Sequence, residues 1–159
     1  PTIANFRPAH FEQRPEEVAY LVHLAELRMQ ALEYLLHGTM LRPPALELPD
    51  EEIDVSRLSI YAGQQDALKE YRKAFPRVLA SAWQAADGDI AIVLANVSDE
   101  PQTIALNLPP DVYPFPASCA LYRVDRNGRS EMGEVEGDVR LDVDLPPAEA
   151  CFYEFIGKE

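Results

Sequence analysis

The fold is decided by a stretch that reads VLASAWQ (78–84), AADGD (85–89) and IAIVLAN (90–96). Its two arms carry the apolar and β-branched residues that favour strands, and Asp87-Gly88 between them is a typical tight hairpin turn. The second arm is apolar at every position up to Asn96, so neither of its faces suits water. We therefore expect a β-hairpin whose second strand lies inside a sheet and is covered from both sides.

Further short strands follow the hairpin, separated by turn signals at intervals of about 8 to 12 residues, which is typical of an antiparallel sandwich. In residues 139–145 apolar side chains alternate with Arg140, Asp142 and Asp144, so one face of that strand is predicted to be buried and the other wet. No alternation of strands with helices occurs there, which counts against a parallel sheet. The other predicted strands are 103–108, 119–124 and 150–156.

A helix is predicted before the strands, over residues 15–36. Pro15 suits the first helical position, and Gly38 is a typical stop signal after the last turn. With about 100° per residue, the polar side chains fall on one strip and the apolar ones on two adjacent stripes. The polar strip contains Glu16, His23, Glu26, Gln30, Glu33 and His37. The first apolar stripe contains Val18, Leu21, Val22, Ala25, Met29, Leu32 and Leu36, and the second contains Tyr20, Leu24, Leu27, Ala31, Tyr34 and Leu35.

This helix has more apolar surface than one domain can cover, because a helix resting on a single domain usually needs an apolar arc of about 100° to 140°. We expect the β domain to leave the second stripe uncovered. The predicted interface residues are Tyr20, Leu24, Leu27 and Leu35. Their partner would be the catalytic domain of a parent protein or a second copy of the chain.

Composition bears on the partners and on the compartment. Lys and Arg number 14 against 27 Asp and Glu, a formal charge of −13 that repels phosphate backbones and anionic lipids. We therefore expect no nucleic-acid and no membrane partner and, without a signal-peptide pattern, a cytoplasmic location. Cys119 and Cys151 lie in apolar, strand-like runs without metal spacing, so buried thiols are predicted, with a bridge between neighbouring strands as the alternative.

The residues that could carry chemistry are poorly grouped. Glycoside hydrolysis needs two carboxylates facing a sugar, and the acidic residues here fall in predicted loops or on wet faces, so no catalytic residue is predicted. No cofactor is predicted either, and His10, His23 and His37 are too scattered for a metal site. Aromatic rings are the best candidates, because the C–H faces of sugars stack on them. The candidate carbohydrate platform consists of Trp83, Tyr61, Tyr71 and Tyr113.

The chain divides into three predicted segments. Residues 1–40 contain an irregular lead-in and the long helix. Residues 41–75 form a loop-rich connection, because Pro43-Pro44 and Pro49 interrupt regular structure and an acidic run over 50–54 favours a solvated loop. Residues 76–159 form the antiparallel β-sandwich.

Several segments carry a resemblance to a known class of domain. The segments LASAW (79–83) and DGDIAIVLANVSDEPQT (87–103) resemble the C-terminal β domain of bacterial glycoside-hydrolase-like proteins, and LPPAEACFYEF (145–155) is similar to the last hairpin of such domains. Residues 36–44 together with 83–103 resemble more narrowly a family with a TIM-barrel catalytic part, distantly like α-galactosidases and amylases.

The resemblance implies a fold that is mainly β, an antiparallel sandwich preceded by one long helix, which would be the last helix of the barrel. It also implies a non-catalytic accessory domain that stabilises or shields a catalytic barrel absent from this chain, so the isolated chain is not expected to be an enzyme. The alternatives are a carbohydrate-binding module that uses an aromatic face and a self-associating interaction protein.

Overall fold

A computed structural model describes residues 8–54 and 72–158 of the protein. The helices are α1 (Pro8–Gln13), α2 (Pro15–Gln30) and α3 (Leu32–Leu35). The strands are β1 (Thr39–Leu41), β2 (Asp50–Asp54), β3 (Arg72–Pro76), β4 (Val78–Gln84), β5 (Ile90–Asn96), β6 (Gln102–Leu108), β7 (Ser118–Asp125), β8 (Gly128–Glu136), β9 (Val139–Leu145) and β10 (Ala150–Gly157). None of the helices in these two ranges has the length and apolarity needed to span a bilayer.

The strands form one large sheet and two small ones, all antiparallel. The large sheet has six strands in the order β1-β4-β5-β10-β7-β8, while β6 pairs only with β9 and β2 only with β3. The prediction of a mainly β, antiparallel domain is therefore confirmed.

Strand β5 is the inner strand that its sequence predicts. It pairs with β4 from Val78 opposite Asn96 to Gln84 opposite Ile90, and with β10 on its other side. Gly88 has φ of +100° in the turn, a conformation that glycine adopts without the steric cost of a Cβ. Alternate residues of β5 enter two different cores, so the strand is covered on both faces, as predicted.

One core lies between the large sheet and the β6–β9 pair. In β9 the buried side chains alternate with exposed ones, which confirms the predicted wet and buried faces. The fully or nearly fully buried members include Ile90, Ile92, Leu94, Ile104, Leu106, Leu108, Val143, Leu145, Cys151 and Phe155.

The helices cover the opposite face of the large sheet. Leu27, Ala31 and Tyr34 are buried there against Phe152 and Val124. The architecture therefore has three layers, with the large sheet between the β6–β9 pair and the helices. The two β layers correspond to the predicted antiparallel sandwich, and the helices form the third layer. The periodicity of the helix shows that it is amphipathic, but the layer that receives it is set by contacts distant in sequence.

The predicted single helix over 15–36 is interrupted at Ala31. This residue has φ of −99° and ψ of 21°, which ends α2, and α3 continues only to Leu35. Hydrogen bonds from Ala31 N to Leu27 O and from Leu35 N to Ala31 O connect the two helices. The prediction of one long helix is therefore correct only in part, because a one-residue departure from helical dihedrals leaves no mark on hydrophobic periodicity.

The acidic run over 50–54 forms strand β2 and not the predicted solvated loop. Strand β3 pairs with it along its whole length, which places Asp54 opposite Arg72 and Ile53 opposite Lys73. Arg77 also lies 3.8 Å from the Glu51 carboxylate, measured from its Nε. The strand that pairs with this run comes from beyond residue 71, so local sequence could not reveal it. The division into three segments stays a prediction.

Gly38 is required where the chain leaves α3 for β1. A Cβ at this position would lie 2.5 Å from Tyr34 O and 2.6 Å from Gln84 O, and both are backbone atoms. We expect Gly38→Ala to lower the free energy of unfolding by about 1–3 kcal/mol, because the helix and β4 would have to move apart. Chemical denaturation measures the change. The neighbouring exposed variant His37→Ala should unfold like the wild type, and equal stability of the two variants would contradict the steric argument.

Candidate functional site

The aromatic platform predicted for carbohydrate is not assembled. Trp83 is partly buried on the helix-covered face of the large sheet, where its Nε1 donates to Ser81 Oγ at 2.9 Å. Tyr113 is 2% exposed in the other core, and its hydroxyl donates to the Arg42 carbonyl at 3.0 Å. The large sheet separates these two rings, so the prediction that they share a platform is wrong. Tyr61 and Tyr71 lie outside the described residues.

The two cysteines are separate buried thiols. Cys119 on β7 lies opposite Gly157, and Cys151 on β10 lies opposite Leu94, so the alternative of a bridge between neighbouring strands is excluded. Burial raises the pKa of the Cys119 thiol and raises that of Cys151 to about 12. Neither thiol is therefore suited to act as a thiolate nucleophile near neutral pH.

Among the described residues, titratable side chains are not grouped around a pocket in a way that suits catalysis. In the part of the chain that the structure describes, no cluster of three or more His, Cys, Asp or Glu could hold a metal ion. A shallow depression lies on the outer face of the β6–β9 pair and contains no aromatic ring. It is lined by Ala105, Leu106, Asn107, Arg140, Leu141 and Asp142.

Helix α2 is fastened to the large sheet by a buried polar cluster. His23 Nε2 lies 2.9 Å from the Ala150 carbonyl and 3.3 Å from Glu149 Oε1. Arg126 Nε lies 2.5 Å from the other carboxylate oxygen of Glu149, and an Nη donates to Ala148 O at 3.1 Å. His23 and Glu149 are both buried, so this cluster joins the helix to the beginning of β10.

The prediction that His23 belongs to a wet polar strip is therefore wrong. His23 is three residues after Tyr20 and four before Leu27, which is the spacing of one helix face. That spacing was a usable signal. It was missed because histidine was counted as polar, whereas here its ring is held in the interior by a backbone carbonyl and a carboxylate.

A second polar cluster lies under the end of α2 and under α3. Arg129 Nε lies 2.6 Å from Glu154 Oε2, and the guanidinium carbon stands 3.5 Å from the centre of the Tyr122 ring. The Tyr34 hydroxyl is buried nearby, and among the described residues it has no hydrogen-bond partner. Burial, followed by the charge of Glu154 and other acidic groups, raises the pKa of Tyr34. The first cluster thus contacts α2 near its middle, at His23, and the second lies beside Tyr34 of α3.

The apolar stripes of the helix are arranged in the reverse of the predicted way. Leu27 is buried against the large sheet, and Tyr20, Leu24 and Leu35 pack partly buried beside it. The prediction that these four residues form an uncovered interface is wrong. Periodicity reveals two apolar stripes on the helix but does not show which of them packs against the sheet. The stripe that packs against the large sheet is the one on the same helix face as His23, whose Nε2 contacts the Ala150 carbonyl at the beginning of β10.

The uncovered surface is the first apolar stripe, which we call the outer stripe: Val18, Leu21, Val22, Ala25, Met29, Leu32 and Leu36. Leu21, Val22, Met29 and Leu36 are 44%, 52%, 66% and 60% exposed. These four side chains leave an apolar surface on the order of 400 Å², which is comparable to the largest patch on a typical monomer and is often functional. The outer stripe is therefore the candidate interaction site.

The described strands form an antiparallel sandwich in which the large sheet faces the β6–β9 pair, and the helices pack on the other face of the large sheet. Residues 76–147 match the family described as D-apionate lactonase, C-terminal immunoglobulin-like domain. The matched segment is a little under half of the chain, and its likeness to this domain family confirms the prediction of a C-terminal β-sandwich region. The family is named after a lactonase.

Solved structures similar to this chain include glycoside hydrolases. One is a proposed α-N-acetylgalactosaminidase from Bacillus halodurans C-125, with 18% identity and a TM-score of 0.42 over 56% of this chain and 19% of that chain. Another is a GH27 β-L-arabinopyranosidase from Geobacillus stearothermophilus, with 13% identity and a TM-score of 0.40 over 54% of this chain and 18% of that one. The similar part thus spans less than a fifth of either structure. A comparison with curated protein sequences found no significant match.

Proposed function

We propose that this chain is a non-catalytic accessory domain that packs against the catalytic barrel of a carbohydrate-active parent enzyme and stabilises or shields it. The observation that carries the proposal is the outer stripe of α2. A helix whose inner face is already buried has no internal use for a second apolar face, and water penalises its exposure. The domain family matched by residues 76–147 is described as C-terminal, which supports a position after a larger catalytic part.

The energy available at this surface is sufficient for a stable contact. At about 25 cal/mol per Å², covering on the order of 400 Å² corresponds to several kcal/mol before the entropic cost of association is subtracted. The entropic cost of association is smaller when the binding surface is already ordered before the partner binds. Helix α2 is held in place by the His23–Glu149–Arg126 cluster and by the core around Leu27. Its outer surface therefore has little conformational freedom left to lose on binding.

The competing functions find less support. A carbohydrate-binding module needs exposed rings side by side, and Trp83 and Tyr113 lie on opposite faces of the sheet. The charge of −13 disfavours nucleic acid and anionic membranes as partners. Self-association through the helix would use the same outer stripe as the proposed contact with the catalytic part. An experiment is therefore needed to distinguish the two kinds of binding.

Polar substitutions in the outer stripe test the proposal. We expect Val22→Glu and Met29→Glu each to weaken binding of this chain to the separately produced catalytic part of the parent enzyme at least tenfold, about 1.4 kcal/mol, because a charge would be buried without a partner. Isothermal titration calorimetry measures the affinity. The stability of the isolated chain should change by only about 0.5 kcal/mol, since both side chains face solvent.

Met132 supplies a matched control. It is 54% exposed on β8, away from the helix, so Met132→Glu adds the same charge at a similarly exposed methionine. This variant should bind like the wild type. The accessory-domain proposal fails if the catalytic part does not bind the chain, or if Met29→Glu and Met132→Glu bind equally well.

A further inference from the structure

The outer stripe is bordered by charged side chains that are mainly acidic. With about 100° per residue along α2, Glu26 lies along one side of the stripe and Glu17 and Arg28 lie along the other. Glu33 follows in α3, next to Leu32 of the stripe. All four are exposed. Glu17 is already paired, because its two carboxylate oxygens lie 3.0 and 3.1 Å from Arg14 Nη1. Within the described part of the chain, Glu26 and Glu33 form no ion pair, so the border on their side carries an uncompensated negative charge.

More negative charge gathers at the end of the stripe near α3. The pKa of Glu33 is raised, first by partial burial and then by the charges of Glu154, Asp87 and Asp89, with only Arg129 acting in the opposite sense. A positive group placed beside Glu33 by a partner would therefore be attracted by several charges at once.

A second copy of the chain fits this surface poorly. Two outer stripes packed together would bring two acidic borders into proximity, and each copy adds a formal charge of −13. Like charges that face each other across an interface repel, and this repulsion disfavours the association of two copies. An acidic border around an apolar centre is instead complementary to an apolar centre surrounded by basic side chains.

The size of the patch also fits a partner of ordinary interface size. A stable interface buries about 800 Å² on each partner, of which about 57% is apolar. The outer stripe alone exposes apolar surface on the order of 400 Å², close to that apolar share. The charged border would supply much of the polar remainder.

We infer that the outer stripe of α2 binds a surface of the catalytic domain whose apolar centre is bordered by lysine and arginine side chains, in preference to a second copy of this chain. This inference rests on the proposed function and adds the charge of the partner to it. Glu26 and Glu33 select the partner, and the apolar stripe supplies the contact area.

Charge reversal separates the role of the border from that of the stripe. The double variant Glu26→Lys/Glu33→Lys should bind the catalytic domain at least tenfold more weakly than the wild type at low ionic strength. The difference should shrink in concentrated salt, because the Debye length falls from about 10 Å at 0.1 M to about 3 Å at 1 M. The control variant Asp111→Lys/Asp142→Lys makes the same change in net charge at exposed positions in the half of the domain beyond the large sheet. It should retain wild-type affinity apart from a small general effect of charge.

Sedimentation of the isolated chain completes the test. The wild type is expected to remain a monomer, and a dimer that Val22→Glu dissociates would overturn the inference. It is also overturned if both double variants lose affinity equally or if the wild-type affinity does not fall with salt. Those results would leave the accessory role intact as long as Met29→Glu still prevents binding. Absence of any binding to the catalytic domain would overturn both proposals.

Discussion

Replacing Asn96 by alanine is expected to lower the free energy of unfolding by about 3–5 kcal/mol, because several buried polar groups would lose their partner at once. Asn96 is 0% exposed at the end of β5. Its Nδ2 donates to the carbonyls of Glu100, Leu145 and Pro146 at 2.8, 3.1 and 3.0 Å. Its Oδ1 accepts from Ser98 N at 3.0 Å and from Ser98 Oγ at 2.8 Å. One side chain thus joins the β5–β6 turn to the end of β9.

Two further variants define the mechanism of this loss. Asn96→Asp keeps the shape and the acceptor for Ser98 but removes all three donated bonds, so it should be as costly as Asn96→Ala. Asn107→Ala removes the same kind of side chain from the exposed face of β6 and should have little effect. Urea unfolding monitored by circular dichroism measures all three. Equal midpoints for Asn96→Ala and Asn107→Ala would contradict the role given to Asn96.

The second large effect is expected at Phe152, which joins the helical layer to the large sheet. Phe152 is 1% exposed, and its ring centre lies 6.5 Å from that of Tyr34. Phe152→Ala should cost about 3–5 kcal/mol through the lost burial and the cavity that remains. Because the cavity opens under the helices, α2 should lose its hydrogen-exchange protection at a lower free energy than β4 and β5 do.

Phe155 on the same strand provides the comparison. It faces the other core, where its ring centre lies 4.6 Å from that of Phe115. Phe155→Ala should cost a similar amount, but it should reduce protection throughout the sandwich and not preferentially in α2. Exchange measured by mass spectrometry distinguishes the two patterns. Selective loss of helix protection in Phe155→Ala, or none in Phe152→Ala, would contradict the assignment of these rings to separate layers.

Selective undocking of α2 would also bear on the accessory role. The outer stripe is continuous only while α2 is held in place, so Phe152→Ala should weaken binding to the catalytic part although Phe152 does not reach the surface. The His23–Glu149–Arg126 cluster serves the same purpose at the beginning of β10, where it holds the middle of α2. Contacts that fix the helix are thus as important to the proposed function as the apolar residues that face outward.

The sequence by itself determined strands β4 and β5 and the hairpin between them. In β4 and β5 the apolar runs and the Asp87-Gly88 turn are local features, and the turn fixes which residues pair. Because β5 has no polar face, its sequence also required that other parts of the protein cover it on both sides, but it did not show which parts these are. The existence of two apolar stripes on the helix was equally visible, because the period of an α-helix relates residues only three or four positions apart.

Only the tertiary structure decided how these elements are oriented. The side of α2 that meets the sheet depends on partners in β10 and the preceding turn, more than 100 residues away in the case of His23 and Ala150. The pairing of β2 with β3 and the separation of Trp83 from Tyr113 depend in the same way on which elements become neighbours. Periodicity gives the angle between side chains on one element, whereas burial depends on what lies opposite. That is the physical reason why the outer stripe could be recognised as apolar from the sequence but identified as the exposed face only in the fold.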